Sequence, residues 1–123
     1  MSFYKCFIFL FLFCFFSCQS KENLTKIQVQ DDSIKINRIP IGSVIDTFFS
    51  IKNVGLTNLR IVNVAATCEC SVVFYDSLPI TPGKIGKVHV KYSNLKDTDS
   101  VRKIFILEAN TKERLHPLYL FIQ

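Results

Sequence analysis

The feature that most constrains the fold of this chain is the alternation of apolar and polar side chains, with apolar residues at every second position of several segments. Such a period matches β-strands with one buried and one wet face, and no segment has a convincing helical period of 3.6 residues. The sets predicted to share a face are Ile34 and Ile36; Ile45, Thr47, Phe49 and Ile51; Leu59, Ile61 and Asn63; and Val88, Val90 and Tyr92. Phe49 shares the face of Ile51, so we expect it in the core, with its neighbour Phe48 pointing the other way.

Residues that favour turns separate these segments. Asn53 and Gly55 can adopt a positive φ, and Pro82-Gly83 suits a type II turn, in which Pro82 fixes φ and Gly83 supplies the reversed torsion. Further turn signals are Pro79, Ser93-Asn94 and residues 110–113. Seven or eight short strands about ten residues apart predict an all-β fold, an antiparallel β-sandwich.

The first eighteen residues have the pattern of a lipoprotein signal peptide. Lys5 precedes an apolar run at residues 7–16, and the small Ser17 precedes Cys18, after which the chain turns polar. The run is shorter than the ~20 apolar residues of a transmembrane helix. We therefore expect removal of residues 1–17 and lipidation of Cys18. Secretory cleavage without lipid is the alternative, because Phe15 stands where lipoproteins usually carry Leu.

The remaining chain is long enough for one small domain. Residues 18–26 lack periodicity and are predicted to be a lipidated tether, and residues 27–123 the β-sandwich domain. Loss of Lys5 lowers the net charge from +5 to +4. The charges are spread along the sequence, so we expect a membrane, through the lipid anchor, and an envelope protein as partners, and no nucleic acid.

Cys68 and Cys70 are the only site-like pair in this domain. On an extended strand their side chains would share one face, and in an oxidising envelope such a pair forms a disulfide or binds a metal. A disulfide needs a bent backbone, because the two Cα atoms must approach to about 4.4–6.8 Å. Two thiolates suit Cu(I), and His89 and His116 could complete a zinc set, although neither spacing fits a known zinc pattern.

No catalytic motif is visible in the sequence. The chain has no hydrolase elbow, phosphate-binding loop or zinc-protease helix. We therefore expect no cofactor, no resident metal and no enzymatic activity.

Several of these segments together resemble the bacterial family of domains of unknown function numbered 1573. The resemblance lies in the strand that ends in Asn53-Val54-Gly55, in Cys68-Glu69-Cys70, and in the turn from Pro82 to Gly86. It implies an immunoglobulin-like sandwich, allied to the ASPM/Hydin domains and often borne by an envelope lipoprotein, and it brings no activity. Glu69 replaces the glycine of the family's Cys-Gly-Cys, which argues against a tight turn here.

The sequence thus predicts a non-catalytic interaction or assembly module, lipid-anchored in a Gram-negative cell envelope, with the outer membrane as its expected location. The alternative is a Cu(I)-binding or thiol-redox protein that uses Cys68 and Cys70.

Overall fold

The computed structural model describes residues 23–123, which form eight β-strands. The predicted signal peptide, Cys18 and the tether up to residue 22 lie outside the described residues. No helix in the described part is long and apolar enough to cross a membrane. In chain order the strands are β1 (Ile27–Val29), β2 (Ser33–Ile36), β3 (Val44–Asn53), β4 (Ile61–Ala66), β5 (Ser71–Tyr75), β6 (Ile85–Ser93), β7 (Val101–Ala109) and β8 (Leu115–Ile122).

The strands form two four-stranded sheets, with the orders β1-β3-β6-β5 and β2-β8-β7-β4. Neighbouring strands are antiparallel, except that β2 runs parallel to β8. The sheets pack face to face, and this confirms the predicted all-β sandwich. The core between them contains Ile45, Phe49, Ile51, Leu59, Ile61, Val64, Ile80, Val88, Val90, Tyr92, Phe105, Leu107, Ala109, Leu118, Leu120 and Ile122.

The centre of the first sheet follows the predicted alternation. Phe49 is buried and its ring lies 6.2 Å from that of Phe105 in the opposite sheet, whereas Phe48 is 44% exposed. Val88, Val90 and Tyr92 are all buried, as predicted. Burial of one face of β3 and β6 supplies the apolar area that holds the two sheets together.

The predicted face of β4 is wrong beyond Ile61. A β-bulge between Ile61 and Asn63 shifts the register of β4 against β7. The extra residue turns Asn63 to solvent and buries Val64 instead.

The turn at Pro82-Gly83 is as predicted. Gly83 has a φ of 80°, and the backbone N–H of Lys84 donates to the carbonyl oxygen of Thr81 at 3.0 Å. These are the torsion and the hydrogen bond of a type II turn.

Loops gather at the two opposite ends of the sandwich. We call residues 23–26, 54–60, 76–84 and 110–114, together with Asn53, the Asn53 end. We call residues 37–43, 67–70 and 94–100 the Cys68 end. β3 runs the length of the molecule, from Val44 at the Cys68 end to Asn53.

Candidate functional site

Cys68 and Cys70 lie in the turn between β4 and β5, where they form a disulfide with a Cα–Cα distance of 5.3 Å. The extended strand considered for this pair is therefore wrong. Glu69 is exposed, and no non-glycine residue between 23 and 123 has a positive φ. The turn can accommodate Glu69 because its backbone does not need glycine and its side chain reaches solvent.

The disulfide is fastened to the sheet beside it. Cys70 packs against the core, and its carbonyl oxygen accepts a hydrogen bond from the N–H of Ser93 at 2.9 Å. The hydroxyl of Ser71 lies 3.5 Å from Sγ of Cys68. A bonded sulfur has no proton, so Ser71 is the donor. Cu(I) binding would require reduction of this bond to two free thiolates.

The two histidines lie apart from the cysteines. Within residues 23–123 no three His, Cys, Asp or Glu side chains are close enough together to hold a metal ion. His89 lies on the outer face of the first sheet, with its ring 5.7 Å from that of Phe48. The set of two cysteines and two histidines considered for zinc is not brought together.

His116 lies on β8 and contacts the Asn53 end through Thr111. Burial lowers its pKa below 6.5, although Glu113 opposes the shift. The Thr111 hydroxyl donates to the carbonyl oxygen of Glu113 at 2.7 Å and lies 2.8 Å from Nε2 of His116. Because that hydroxyl has a single proton, neutral His116 donates from Nε2 to Thr111. This is the arrangement of a packed structural histidine.

Tyr92, Asp97 and Lys103 form a polar cluster at the Cys68 end. The Tyr92 hydroxyl and the Lys103 ammonium both donate to Oδ2 of Asp97, at 2.7 and 2.8 Å. The hydrogen bond from Lys103, and then that from Tyr92, lowers the pKa of Asp97. Burial, together with Asp97, raises the pKa of Tyr92 to about 12. The cluster holds the loop after β6 against β7.

Exposed aromatic side chains form a row across the outer face of the first sheet. In the strand register His89 of β6 lies opposite Phe48 of β3 on one side and Phe74 of β5 on the other. Phe48 and Phe74 are 44% and 54% exposed. We call Phe48, His89 and Phe74 the aromatic row.

Apolar and basic side chains border this row. Lys87 places its ammonium 4.2 Å from the centroid of the Phe48 ring, a cation–π contact. Val72 is exposed and lies opposite Lys91, whose ammonium is 3.5 Å from a carboxylate oxygen of Asp46. A depression lined by Phe74, Ile85, Lys87 and His89 adjoins the row. This face thus presents aromatic rings and lysine side chains to solvent.

Asn53 is the centre of a network of polar contacts at the Asn53 end. Its side chain is fully buried at the end of β3. Its Nδ2 donates to the carbonyl oxygens of Thr57 and Ile80, both at 2.8 Å. Its Oδ1 accepts from the hydroxyl of Thr25 at 2.8 Å and from the N–H of Gly55 at 3.0 Å. One amide thus uses both donors and both acceptor positions to join three segments.

Residues 23–26, which belong to the segment predicted to be a tether, pack against the sandwich. Thr25 is buried and bridges to Thr111, and the carbonyl oxygen of Lys26 accepts from the N–H of Val54 at 3.0 Å. Gly55 allows this approach, since a Cβ there would collide with the Oγ1 of Thr25. The expected positive φ at Asn53 and Gly55 is wrong, because among the described residues only Gly42 and Gly83 have one.

The role of Asn53 as a buried connector was not predicted from its sequence pattern. The visible signal was an asparagine at the end of an apolar strand with glycine two residues later, which also fits an ordinary exposed turn. Burial of the amide depends on Thr25 and Ile80, each more than 25 residues away.

Comparison with known proteins gives a fold and a family. A protein of unknown function from Porphyromonas gingivalis W83 superimposes with a TM-score of 0.71 at 14% identity, over 88% of this chain and 50% of that one. This chain thus spans about half the length of that protein. The ASH/PapD-like domain 7 of human CEP192 superimposes with a TM-score of 0.64 at 13% identity, over 81% and 85% of the two chains.

The secreted serine protease VesC of Vibrio cholerae gives a TM-score of 0.63 at 11% identity, over 80% of this chain and 23% of the protease. These likenesses show an immunoglobulin-like fold alone. None of the curated proteins matches this chain in sequence. The family model of the protein of unknown function DUF1573 matches residues 27–122, almost the whole sandwich. The chain therefore belongs to the DUF1573 family.

Proposed function

We propose that this protein is a non-catalytic interaction module, lipid-anchored through Cys18 in a Gram-negative cell envelope, with the outer membrane as its location. Its partner is an envelope protein that binds the outer face of the first sheet. The observation that supports this proposal is the aromatic row, which keeps two phenylalanine rings in solvent on a rigid sheet.

Aromatic side chains are enriched at protein interfaces because they bury a large area at a small cost in conformational entropy. Phe48 and Phe74 lie on strands whose opposite faces are fixed in the core, so both rings are held in place before binding. Lys87 lies over the Phe48 ring, whereas Lys91 pairs with Asp46, and Asp76 lines the adjoining depression. The face therefore suits a partner with an apolar surface and an acidic group that can meet Lys87.

Site-specific photo-crosslinking in the intact envelope tests this partner face. A photoreactive residue in place of Phe74 should capture the same protein as one in place of Phe48. Leu115 is the matched control, because it is 60% exposed against 54% for Phe74 and belongs to the second sheet. Capture of one protein from both phenylalanine positions, and not from position 115, supports the proposal. Equal products from all three positions would contradict it.

The lipid anchor is tested separately by intact mass. A mature chain that begins at an acylated Cys18 is expected, since several acyl chains give stable attachment where one is marginal. Cys18→Ala should leave unprocessed or mislocalised protein. An unlipidated mature chain that begins at another residue would refute the anchor.

A further inference from the structure

The Asn53 end carries a cluster of exposed apolar side chains. Leu24 and Val54 are 46% and 45% exposed, and Leu56 is 95% exposed. The three line one depression together with Lys26 and Lys112. We call these five residues the Leu56 patch. Leu56 is the most exposed of the large apolar side chains in residues 23–123.

The loop holds Leu56 in solvent by hydrogen bonds on both sides of it. Asn53 binds the N–H of Gly55 before it and the carbonyl oxygen of Thr57 after it. The Thr57 hydroxyl also donates to the carbonyl oxygen of Leu24 at 3.0 Å. Leu56 is therefore displayed by a fixed backbone, which removes the ordering cost that a flexible loop would meet on binding.

The distance along the chain ties this patch to the anchor. Asn23 lies five positions after Cys18, with four residues between them, and such a segment spans at most about 18 Å. Asn23 itself is fastened to the Asn53 end, because its carbonyl oxygen accepts from Nδ2 of Asn110 at 2.9 Å. The Cys68 end lies at the other end of β3 from Asn53, and the ten residues of this strand span roughly 30 Å.

The composition of the patch matches a lipid surface. Apolar side chains flanked by lysines partition into the headgroup boundary, and lysines near an anionic surface add attraction. Lys26 and Lys112 are both exposed, and Glu113 is the acidic residue next to Lys112. We propose that the Asn53 end contacts the surface of the membrane in which Cys18 is anchored. The exposure of Leu56, the short distance to Cys18 and the charges of the two lysines support this arrangement. This inference rests on the proposed lipidation of Cys18.

The chain has no tryptophan, so a single introduced one reports its own surroundings. The experiment compares Leu56→Trp with Leu95→Trp in the full lipidated protein. Leu95 is the matched control, since it is 68% exposed and lies at the Cys68 end. Both proteins are reconstituted into vesicles of phosphatidylethanolamine and phosphatidylglycerol whose acyl chains carry bromine, which quenches tryptophan on contact.

We expect quenching several-fold stronger at position 56 than at position 95, and weaker quenching at 56 once Lys26→Glu and Lys112→Glu are added. Equal quenching at both positions, or stronger quenching at 95, would overturn the proposal. Intact mass is measured first. An unlipidated mature chain would overturn the anchor and this inference together, whereas a lipidated chain with a water-accessible tryptophan at position 56 would overturn this inference alone.

Discussion

At the Asn53 end, separate loops are joined by uncharged amides and hydroxyls, and the ion pair of Arg114 with Glu108 lies within the β7–β8 hairpin. At the Cys68 end, a disulfide and an ion pair are added to an amide. At the first end Asn53 binds backbone groups of residues 54–60 and 76–84, and Asn110 binds backbone groups of residues 23–26 and 54–60. At the Cys68 end, the loops are held by hydrogen bonds of the Asn94 side chain, by the Cys68–Cys70 disulfide and by the ion pair of Asp97 with Lys103.

The stability of the two ends should therefore respond to different solution conditions. A buried neutral amide is indifferent to salt and reductant, but its loss leaves several partners unsatisfied at once. Ion pairs and disulfides fail under specific solution conditions and leave the remaining contacts in place. The following substitutions and conditions test this contrast, beginning with the largest expected effect.

Asn53→Ala should lower the free energy of unfolding by at least about 3 kcal/mol, because two carbonyl groups, one N–H and one hydroxyl lose their partner. Asn94→Ala is the matched control at the Cys68 end, where the amide is equally buried and makes three hydrogen bonds. We expect a smaller loss there, about 2 kcal/mol, since Lys103 still holds Asp97. Urea denaturation measures both, and equal losses would contradict the contrast.

Gly55→Ala should cost about 1–3 kcal/mol, because a new Cβ meets Thr25 and the backbone N of Lys26 and forces the two segments apart. Gly42→Ala at the Cys68 end meets no atom within 4 Å, so its cost comes only from the φ of 85°, about 1–2 kcal/mol. Amide hydrogen exchange should speed up at Val54 in the first variant and not in the second. Unchanged exchange at Val54 would show that residues 23–26 are not held by this approach.

Replacement of both Cys68 and Cys70 by Ser should cost about 1.5 kcal/mol, since the loop that the disulfide closes is very short and little chain entropy is involved. Increased hydrogen exchange should be confined to the Cys68 end. Chemical denaturation of the oxidised protein and of the double variant gives the difference. A tight one-to-one Cu(I) complex of the reduced protein that disappears in the variant would instead support metal handling.

The smallest effects are those of pH, and they should differ between the ends. The pKa of Asp97 is lowered in the fold, so the unfolded chain takes up a proton first as pH falls below 3.8, and stability is lost there. The raised pKa of Tyr92 predicts a further loss between pH 10 and about 12. The pKa of His116 is lowered by burial, so the Asn53 end should lose stability as pH falls below 6.5.

Hydrogen exchange read peptide by peptide across these pH ranges separates the two ends. Asp97→Asn should remove the acid response of residues 94–100 and leave that of residues 110–114 unchanged. An acid response at the Cys68 end between pH 6.5 and 3.8, above the range of Asp97, would contradict the assignment to His116.

The sequence allowed the sheet faces to be predicted where alternation is uninterrupted, as at Phe49 and along β6, because a period of two follows from strand geometry alone. It failed at Asn63, since a bulge is set by pairing with β7. It also failed at Asn53, whose burial depends on residues distant in the chain. It failed again at Cys68, where Glu69 between the cysteines argued against the tight turn that the structure has, because the exposed side chain of Glu69 fits that turn.

The parallel pairing of β2 with β8 has a kinetic consequence. Ser33 lies opposite Tyr119, and Ile36 opposite Ile122, so the second sheet joins strands from opposite ends of the domain. Contacts this far apart in sequence require closure of a long loop before they contribute any stability, which slows folding. During synthesis the edge of β8 cannot receive β2 until residue 122 is available. The second sheet is therefore completed only after β8 has been translated.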